Sequence, residues 1–407
     1  MKIRSITCFY HPGDPDAEQH LARLSTFVEA ARASFESAGY TVQTVRLATT
    51  PFPELLETLD APTAVRFATG LEEKSRALGY DYLSIGPATP HHAASYALIP
   101  DILAETQNVF TSGVMAAALD GVRLSAVRAC AEVIVRNATL TPDGFANLRF
   151  AATANLRPDG PFFPSAFHHD HMPSFALAME CADSAVEAFS QAETVAAARQ
   201  GLLARLNAAG LELAAIARRL ARRFHVRFSG IDFSPAPYPQ DCCSLGGALE
   251  KLGVSSLGNL GSVSAAAILA DTLDQGEWPR AGFNGLMLPV LEDSILAARA
   301  TQGSLEVKDL LLFSCVCGTG LDTVPLPGSA SAEQIAPVLL DVASLAVRLG
   351  KPLTARLMPI PGKEAGEETG FDFDYFCNGK IMALPAAPLQ APLTGFEQVR
   401  LRPRQPR

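Results

Sequence analysis

Carboxylates, hydroxyls and histidines stand at the ends of apolar runs at several places in this chain. The densest of these is residues 228–271, FSGIDFSPAPYPQDCCSLGGALEKLGVSSLGNLGSVSAAAILAD. There the apolar run 226–233 stops at a rigid Pro-Ala-Pro-Tyr-Pro turn, with Asp232 and Ser234 at its edge. A strand-end carboxylate can accept a proton, bind a cation or orient a substrate hydroxyl. The competing role is local, since the same carboxylate can cap N–H groups of its own turn. Glu292, Asp293 and Asp322 follow two later apolar runs. If their parent strands neighbour the first, these acids converge with Asp232 and either share a proton or hold a divalent cation. Capping a following helix is the alternative for Glu292 and Asp293.

Other groups extend the list. Gly258, Gly261 and Ser262 read as a glycine-rich strand-to-helix junction. Its N–H groups suit a phosphate or carboxylate, but the spacing is neither a P-loop nor a dinucleotide fingerprint, and tight packing is the favoured explanation. Arg356 and Lys363, near the last strand, offer positive charge to an anionic substrate. His11, His91, His92, His168, His169 and His171 all follow strands of the first half, with Asp170 among them. Imidazoles gathered from three loops suit zinc or a similar divalent ion, although no HExxH or Cys/His spacing is present. The metal-ligand candidates are His91, His168, His169 and His171. Cys242 and Cys243 read as lining a helix that faces the core. Cys317, at a strand end, is a nucleophile only if a neighbouring base lowers its pKa; otherwise it packs.

Such residues need a scaffold to bring them together. The 407 residues are 48% hydrophobic and only 18% charged, which fits strands buried on both faces of a large closed α/β architecture. A net charge of −9 argues against nucleic acid as a partner. No apolar stretch is sustained enough to span a membrane, and the N-terminus MKIRSITCFYHPGDPD lacks a signal-peptide core. The eight cysteines are dispersed in apolar segments and read as reduced core thiols, so the expected location is the cytoplasm.

The chain also reads twice. Residues 2–15, KIRSITCFYHPGDP, resemble 225–239, HVRFSGIDFSPAPYP. Glycine-led strands are expected at 39–47 and 253–260. The segments 80–94 and 283–297, then 108–114 and 311–317, then 145–156 and 351–362, answer each other in order. Five strands per half, separated by helices, predict parallel strands with right-handed crossovers. The expected organisation is a first half at 1–172, a helical connection at 173–224, a second half at 225–383 and a proline-rich tail at 384–407. In the connection, residues 181–224 read as two long helices joined near 207–210. The segment 173–179 reads as an edge strand or the start of a buried helix.

The motifs MKIRSIT, PFFPSAFH (161–168), GIDFSPAPYP (230–239), GNLGSVSAAAILAD (258–271), GFNGLMLPVLED (282–293), CGTGLDTVPLPG (317–328) and TARLMPIPGKEAG (354–366) stand in one order along the chain. Together they resemble the family known as domain of unknown function 711, or uncharacterised protein family 0210. The resemblance implies a ten-stranded α/β barrel similar to that of pyruvate formate-lyase, built from two five-stranded halves. It implies no assigned activity. It adds weight to an acid/base role for His168, although the run His168-His169-Asp170-His171 is richer in histidine than the family pattern. The paired Cys242 and Cys243 invite comparison with glycyl-radical enzymes of that fold, but the C-terminal region lacks a radical loop, so no glycyl radical is expected. The expectation is a cytosolic, non-radical enzyme acting on a small polar or anionic metabolite. Asp232, His168, Asp322 and Ser234 would be catalytic. Gly261, Ser262, Glu292, Cys317 and Lys363 would bind the ligand, with or without a divalent metal. The alternatives are a non-catalytic small-molecule-binding or regulatory protein on the same barrel, and a structural homodimer whose apolar helices form the interface; homo-oligomerisation is the one protein partnership expected.

Overall fold

Period-two alternation in the apolar runs gives each strand one face for the outer helices and one for the interior. In the computed structural model, which describes residues 1–316 and 318–403, eleven strands form one mixed sheet. They are β1 (Lys2–Tyr10), β2 (Val42–Thr49), β3 (Tyr82–Ala88), β4 (Val109–Ala117), β5 (Gly121–Arg123), β6 (Phe150–Ala154), β7 (Ser174–Glu180), β8 (Arg227–Ala236), β9 (Gly320–Pro327), β10 (Leu353–Ile360) and β11 (Gln398–Val399). The continuous order is β8-β7-β1-β2-β3-β4-β6-β10-β9, with β5 paired to β4 and β11 to β5.

The run β1-β2-β3-β4-β6 is parallel throughout. β7 with β8 and β9 with β10 are also parallel, while β1–β7 and β6–β10 are antiparallel. These two junctions have a large consequence for function. The C-terminal ends of β1, β2, β3, β4 and β6 point to one end of the structure, and those of β7 to β10 point to the other. Loops that follow strands in the two halves therefore do not share a mouth.

The ladder stays open between β8 and β9. Residues 279–290 cross that gap and touch each neighbour through one isolated bridge, Ile231–Arg280 and Pro289–Asp322, both parallel. The expected strand at 283–297 is thus an irregular extended segment followed by the helix Ser294–Gln302.

Two other expected strands are not strands. Residues 253–260 form turns between the helices Leu245–Lys251 and Ser262–Asp274. Gly253 (φ 108°) and Gly258 (φ 96°) occupy backbone conformations outside any strand. The run 311–316 belongs mostly to a helix, Val307–Ser314, started by a Glu306/Asp309 capping box. A short apolar run cannot by itself distinguish a buried helix from a strand. Residues 174–180 are instead a central strand, hydrogen-bonded on both sides. The connection after it holds the helices Ala182–Ser190 and Val195–Phe224, the second running unbroken through 207–210. Gly210 is there for contact, since a Cβ at that position would stand 2.8 Å from Trp278.

Most of the core lies between the sheet and its helices. A smaller cluster of Phe9, Ala48, Phe110, Phe163, Ala166 and Ala176 sits on the opposite, inner face. The PFFPSAFH segment enters this inner space. Its Ala166 carbonyl accepts from Ser84 Oγ at 2.6 Å, and the His168 N–H donates to the Thr49 carbonyl at 2.9 Å. No helix among the described residues is long and apolar enough to cross a membrane.

Candidate functional site

On one side of this plug the inner face opens into a cavity of about 90 Å³, room for several waters or a small ligand. Arg4, Arg46, Glu292 and Arg356 supply charge to its wall, and Tyr82, Phe110, Phe162, Phe163, Phe373 and Tyr375 supply aromatic surface. Arg46 points inward by alternation, two residues from Ala48 of the inner cluster. Two irregularities aim other groups the same way. The β1–β7 register skips between Ile3 and Ser5, so Arg4 has no cross-strand mate. The β9–β10 register skips between Ala355 and Leu357, which sets Asp322 and Thr323 together opposite Arg356. Bulges of this kind redirect side chains at binding sites. Thr323 has φ 41°, a strained conformation for a β-branched residue.

A chain of alternating charges results. Arg356 donates from Nε to Asp322 Oδ1 at 2.6 Å and from Nη2 to Glu292 Oε1 at 3.0 Å. Glu292 Oε2 accepts from Arg4, whose other amino group lies 3.8 Å from Glu180. Glu180 also accepts from Lys2 Nζ at 3.1 Å and from Gln43 Nε2 at 2.7 Å. Burial alone would depress the Arg4 pKa, but Glu292 and Glu180 outweigh it and raise it. Burial raises the Asp322 carboxyl, Glu292 adds to that, and Arg356 opposes it. Asp322 is 1% exposed and its Oδ2 has no partner among the described residues.

Arg46 stands outside this chain. Its Nε donates to Thr44 Oγ1 at 2.9 Å, and its guanidinium lies 5.2 Å from the Phe163 ring centre and 5.6 Å from that of Tyr82. Among the described residues no carboxylate forms an ion pair with it. Burial, with Arg4 and Arg356 adding repulsion, pushes its pKa down to about 10. A guanidinium held between aromatic faces, short of a counter-charge and open to a cavity, is arranged to receive an anion.

Asp232 and Ser234 also line this cavity, but their polar atoms are engaged. Asp232 Oδ1 accepts from Ser234 N at 2.9 Å, Ser234 Oγ at 2.6 Å and Asn284 N at 3.0 Å, and Oδ2 accepts from Phe283 N at 2.9 Å. Burial raises the Asp232 pKa against these four donors. Ser234 Oγ in turn accepts from Gly285 N at 3.1 Å. Together they hold the 282–285 turn, where a Cβ on Gly282 would come within 2.1 Å of Asp232. The adjacent acids at 292 and 293 divide their roles. Glu292 bridges the arginines, whereas Asp293 caps its helix by accepting from Ile295 N at 3.0 Å and Leu296 N at 3.1 Å.

Other residues singled out from the sequence lie elsewhere. Ser262 Oγ donates to Asn259 O at 2.7 Å and accepts from Gly258 N at 3.1 Å, closing a turn behind Gly261 away from the cavity lining. Lys363 donates to the Glu368 carbonyl. Cys317 lies outside the described residues. Cys242 is exposed and Cys243 half-buried in a short turn, their sulfurs 3.6 Å apart, instead of facing the core.

The histidines occupy the far side of the plug. His168 is fully buried, with Nδ1 2.7 Å from Asp159 Oδ1 and, among the described residues, no partner for Nε2. Asp159 Oδ2 accepts from Ser174 (2.8 Å), Ser229 (2.9 Å) and Arg227 (2.7 Å). Burial would raise the Asp159 pKa, but His168 and the other donors outweigh it and hold it at about 2. His91 and His169 are exposed and stand apart from this hub, while His171 meets Asp14 and His11. The expected single site is therefore two sites, an arginine–carboxylate cavity and a histidine region beyond the plug.

With both sites in view, comparison with known proteins is informative. A family model described as "Uncharacterised ACR (DUF711)" matches residues 1–374. The chain belongs to this family. It is 33% identical over 368 residues to a UPF0210 protein of Pyrobaculum aerophilum, covering 86% of this chain and 80% of that one. It is 29% identical to a UPF0210 protein of Halothermothrix orenii, covering 86% and 81% of the two chains. Against a UPF0210 protein of Ruminiclostridium cellulolyticum it is 27% identical, with coverage of 91% and 88%. The motifs that carried the family resemblance supply the inner PFFPSAFH segment, the 282–293 crossing that ends in Glu292, and the bulge at Asp322.

Proposed function

We propose that the cavity on the inner face binds a small organic anion, a carboxylate with an apolar or aromatic body, and that Arg46 receives its charge. The observation that carries this reading is a guanidinium in the cavity wall with no carboxylate partner among the described residues, beside two arginines that Glu292 and Asp322 already neutralise. Phe110, Phe162, Phe163 and Phe373 favour an apolar body behind the charged head. The protein is then a cytosolic, non-radical enzyme acting on that anion, or a binding protein on the same scaffold.

Asp322 supports the catalytic version. Its pKa is raised by burial and one of its oxygens is unpartnered, properties suited to carrying a proton. A ten-stranded barrel of the pyruvate formate-lyase type, with 279–290 as the tenth strand and two duplicated halves, is the architecture we infer. The bridges at Arg280 and Pro289 support it.

A thermal-shift screen of small carboxylates against the native protein and Arg46→Met tests the binding claim. Hits should stabilise the native protein by an amount that grows with the logarithm of ligand concentration over its dissociation constant, and Arg46→Met should lose the response. Equal responses would remove the claim. Incubating the hits with protein and following them by NMR then separates turnover from binding.

A further inference from the structure

Beyond the plug, the HPGDP turn after β1 folds His11 back toward Asp14, and the loop before β7 brings His171 to the same point. Each of the three side chains offers one ligand atom, all within 4.8 Å of one another. The His11 and His171 rings stack with centroids 5.3 Å apart at 14°. Asp14 Oδ1 accepts from His171 Nδ1, and its Oδ2 is buried with no partner among the described residues, in a side chain only 7% exposed. The setting is braced. Asp170 is held by Arg227 and accepts from the His171 N–H at 2.7 Å, which fixes the loop and leaves Asp170 unavailable as a ligand. The Gly13 N–H donates to His11 Nδ1 at 3.0 Å, and a Cβ at Gly13 would stand 3.0 Å from the ring, so the turn fixes the imidazole.

We propose that His11, Asp14 and His171 form a site for a divalent transition-metal ion of the zinc class, with coordination positions left open on the exposed side. Two imidazoles and one carboxylate match the donor preference of such ions and poorly suit calcium or magnesium. The ion replaces the proton between His171 Nδ1 and Asp14 Oδ1, which passes to solvent; Oδ1 is also the carboxylate oxygen facing His11. The site lies just past the C-terminal end of β1, whereas Arg46 of the cavity pairs with Thr7, four residues before His11. At about 3.3 Å per residue they are on the order of 13 Å apart, and His11, Asp14 and His171 stand outside the cavity wall. The claim is therefore independent of anion binding at Arg46.

Equilibrium dialysis of the full chain against Zn²⁺ tests it, with Co²⁺ absorption reporting the ligand set. We expect one equivalent of Zn²⁺ per chain, at least tenfold weaker binding in His171→Ala and Asp14→Ala, and no change in His169→Ala. His171 is 82% exposed, so its removal should leave the melting temperature almost unchanged. The assignment is overturned if the native protein binds no Zn²⁺ at about 100 μM. It is equally overturned if His171→Ala and Asp14→Ala bind as native, or if His169→Ala loses binding to the same degree.

Discussion

Replacing Arg46 by methionine should make the empty protein more stable and the liganded protein less so. With its pKa pushed from 12.5 down to about 10, the charged form of Arg46 is disfavoured in the fold by at most about 3 kcal/mol. Water in the cavity screens much of this, leaving about 1 kcal/mol. The sign follows from the direction: a cation whose pKa falls on folding destabilises the native state while it is protonated, which includes neutral pH. Methionine keeps most of the aliphatic stem and removes that cost. For a 407-residue chain, unfolding entropy of about 2.1 cal/mol/K per residue converts 1 kcal/mol into roughly 1 °C of added Tm. The liganded state responds in the opposite direction. Losing a charge-assisted hydrogen bond worth about 1.5–3 kcal/mol weakens carboxylate binding roughly 10- to 150-fold. Differential scanning calorimetry with and without a saturating hit measures both effects. A fall of several degrees in the ligand-free Tm would refute the reasoning, because Arg46 would then be a structural residue whose partner has been missed.

Further consequences follow from the same geometry. Arg356→Met strips Asp322 of its counter-charge and should cost about 3–5 kcal/mol in urea denaturation; adding Asp322→Asn to that variant should recover part of the loss. Asp159, with its pKa held at about 2 instead of the ordinary 3.8, contributes about 2 kcal/mol that is present above pH 3.8 and is lost as pH falls through 2. Urea midpoints at pH 5 and pH 2.5 should therefore diverge more for native protein than for Asp159→Asn. Gly282→Ala would force a methyl group onto Asp232 at a residue with φ 71°, so it should lose roughly 1–3 kcal/mol and disturb the cavity. Circular-dichroism melts of that variant check this.

The sequence revealed the strands of the first half because each is a mostly apolar run closed by a turn. It revealed less of the second half. Residues 253–260 and 311–316 have the composition of strands, but their glycines at positive φ and the Glu306/Asp309 capping box decide otherwise. Asp232, Ser234, Glu292 and Asp322 were visible as polar groups at the ends of apolar runs, and the structure places them in or directly behind the cavity wall. Which of them is already occupied depends on the donors of the 282–285 turn, and no spacing rule exposes that. Arg4 and Arg46 went unnoticed, although an arginine inside an otherwise apolar strand is a signal that could have found both. The separation of the histidines from the carboxylates rests on two antiparallel junctions, β1–β7 and β6–β10, and strand direction between halves is not written in either half alone.

Calorimetric titration of the native protein with the best carboxylate from the screen and with its neutral amide tests the central claim most directly. The two ligands share a shape and differ in the charge that Arg46 is placed to receive. The carboxylate should bind at one site per chain and the amide at least tenfold more weakly. If the amide binds as tightly, the unpaired guanidinium is not what the cavity uses to hold its ligand.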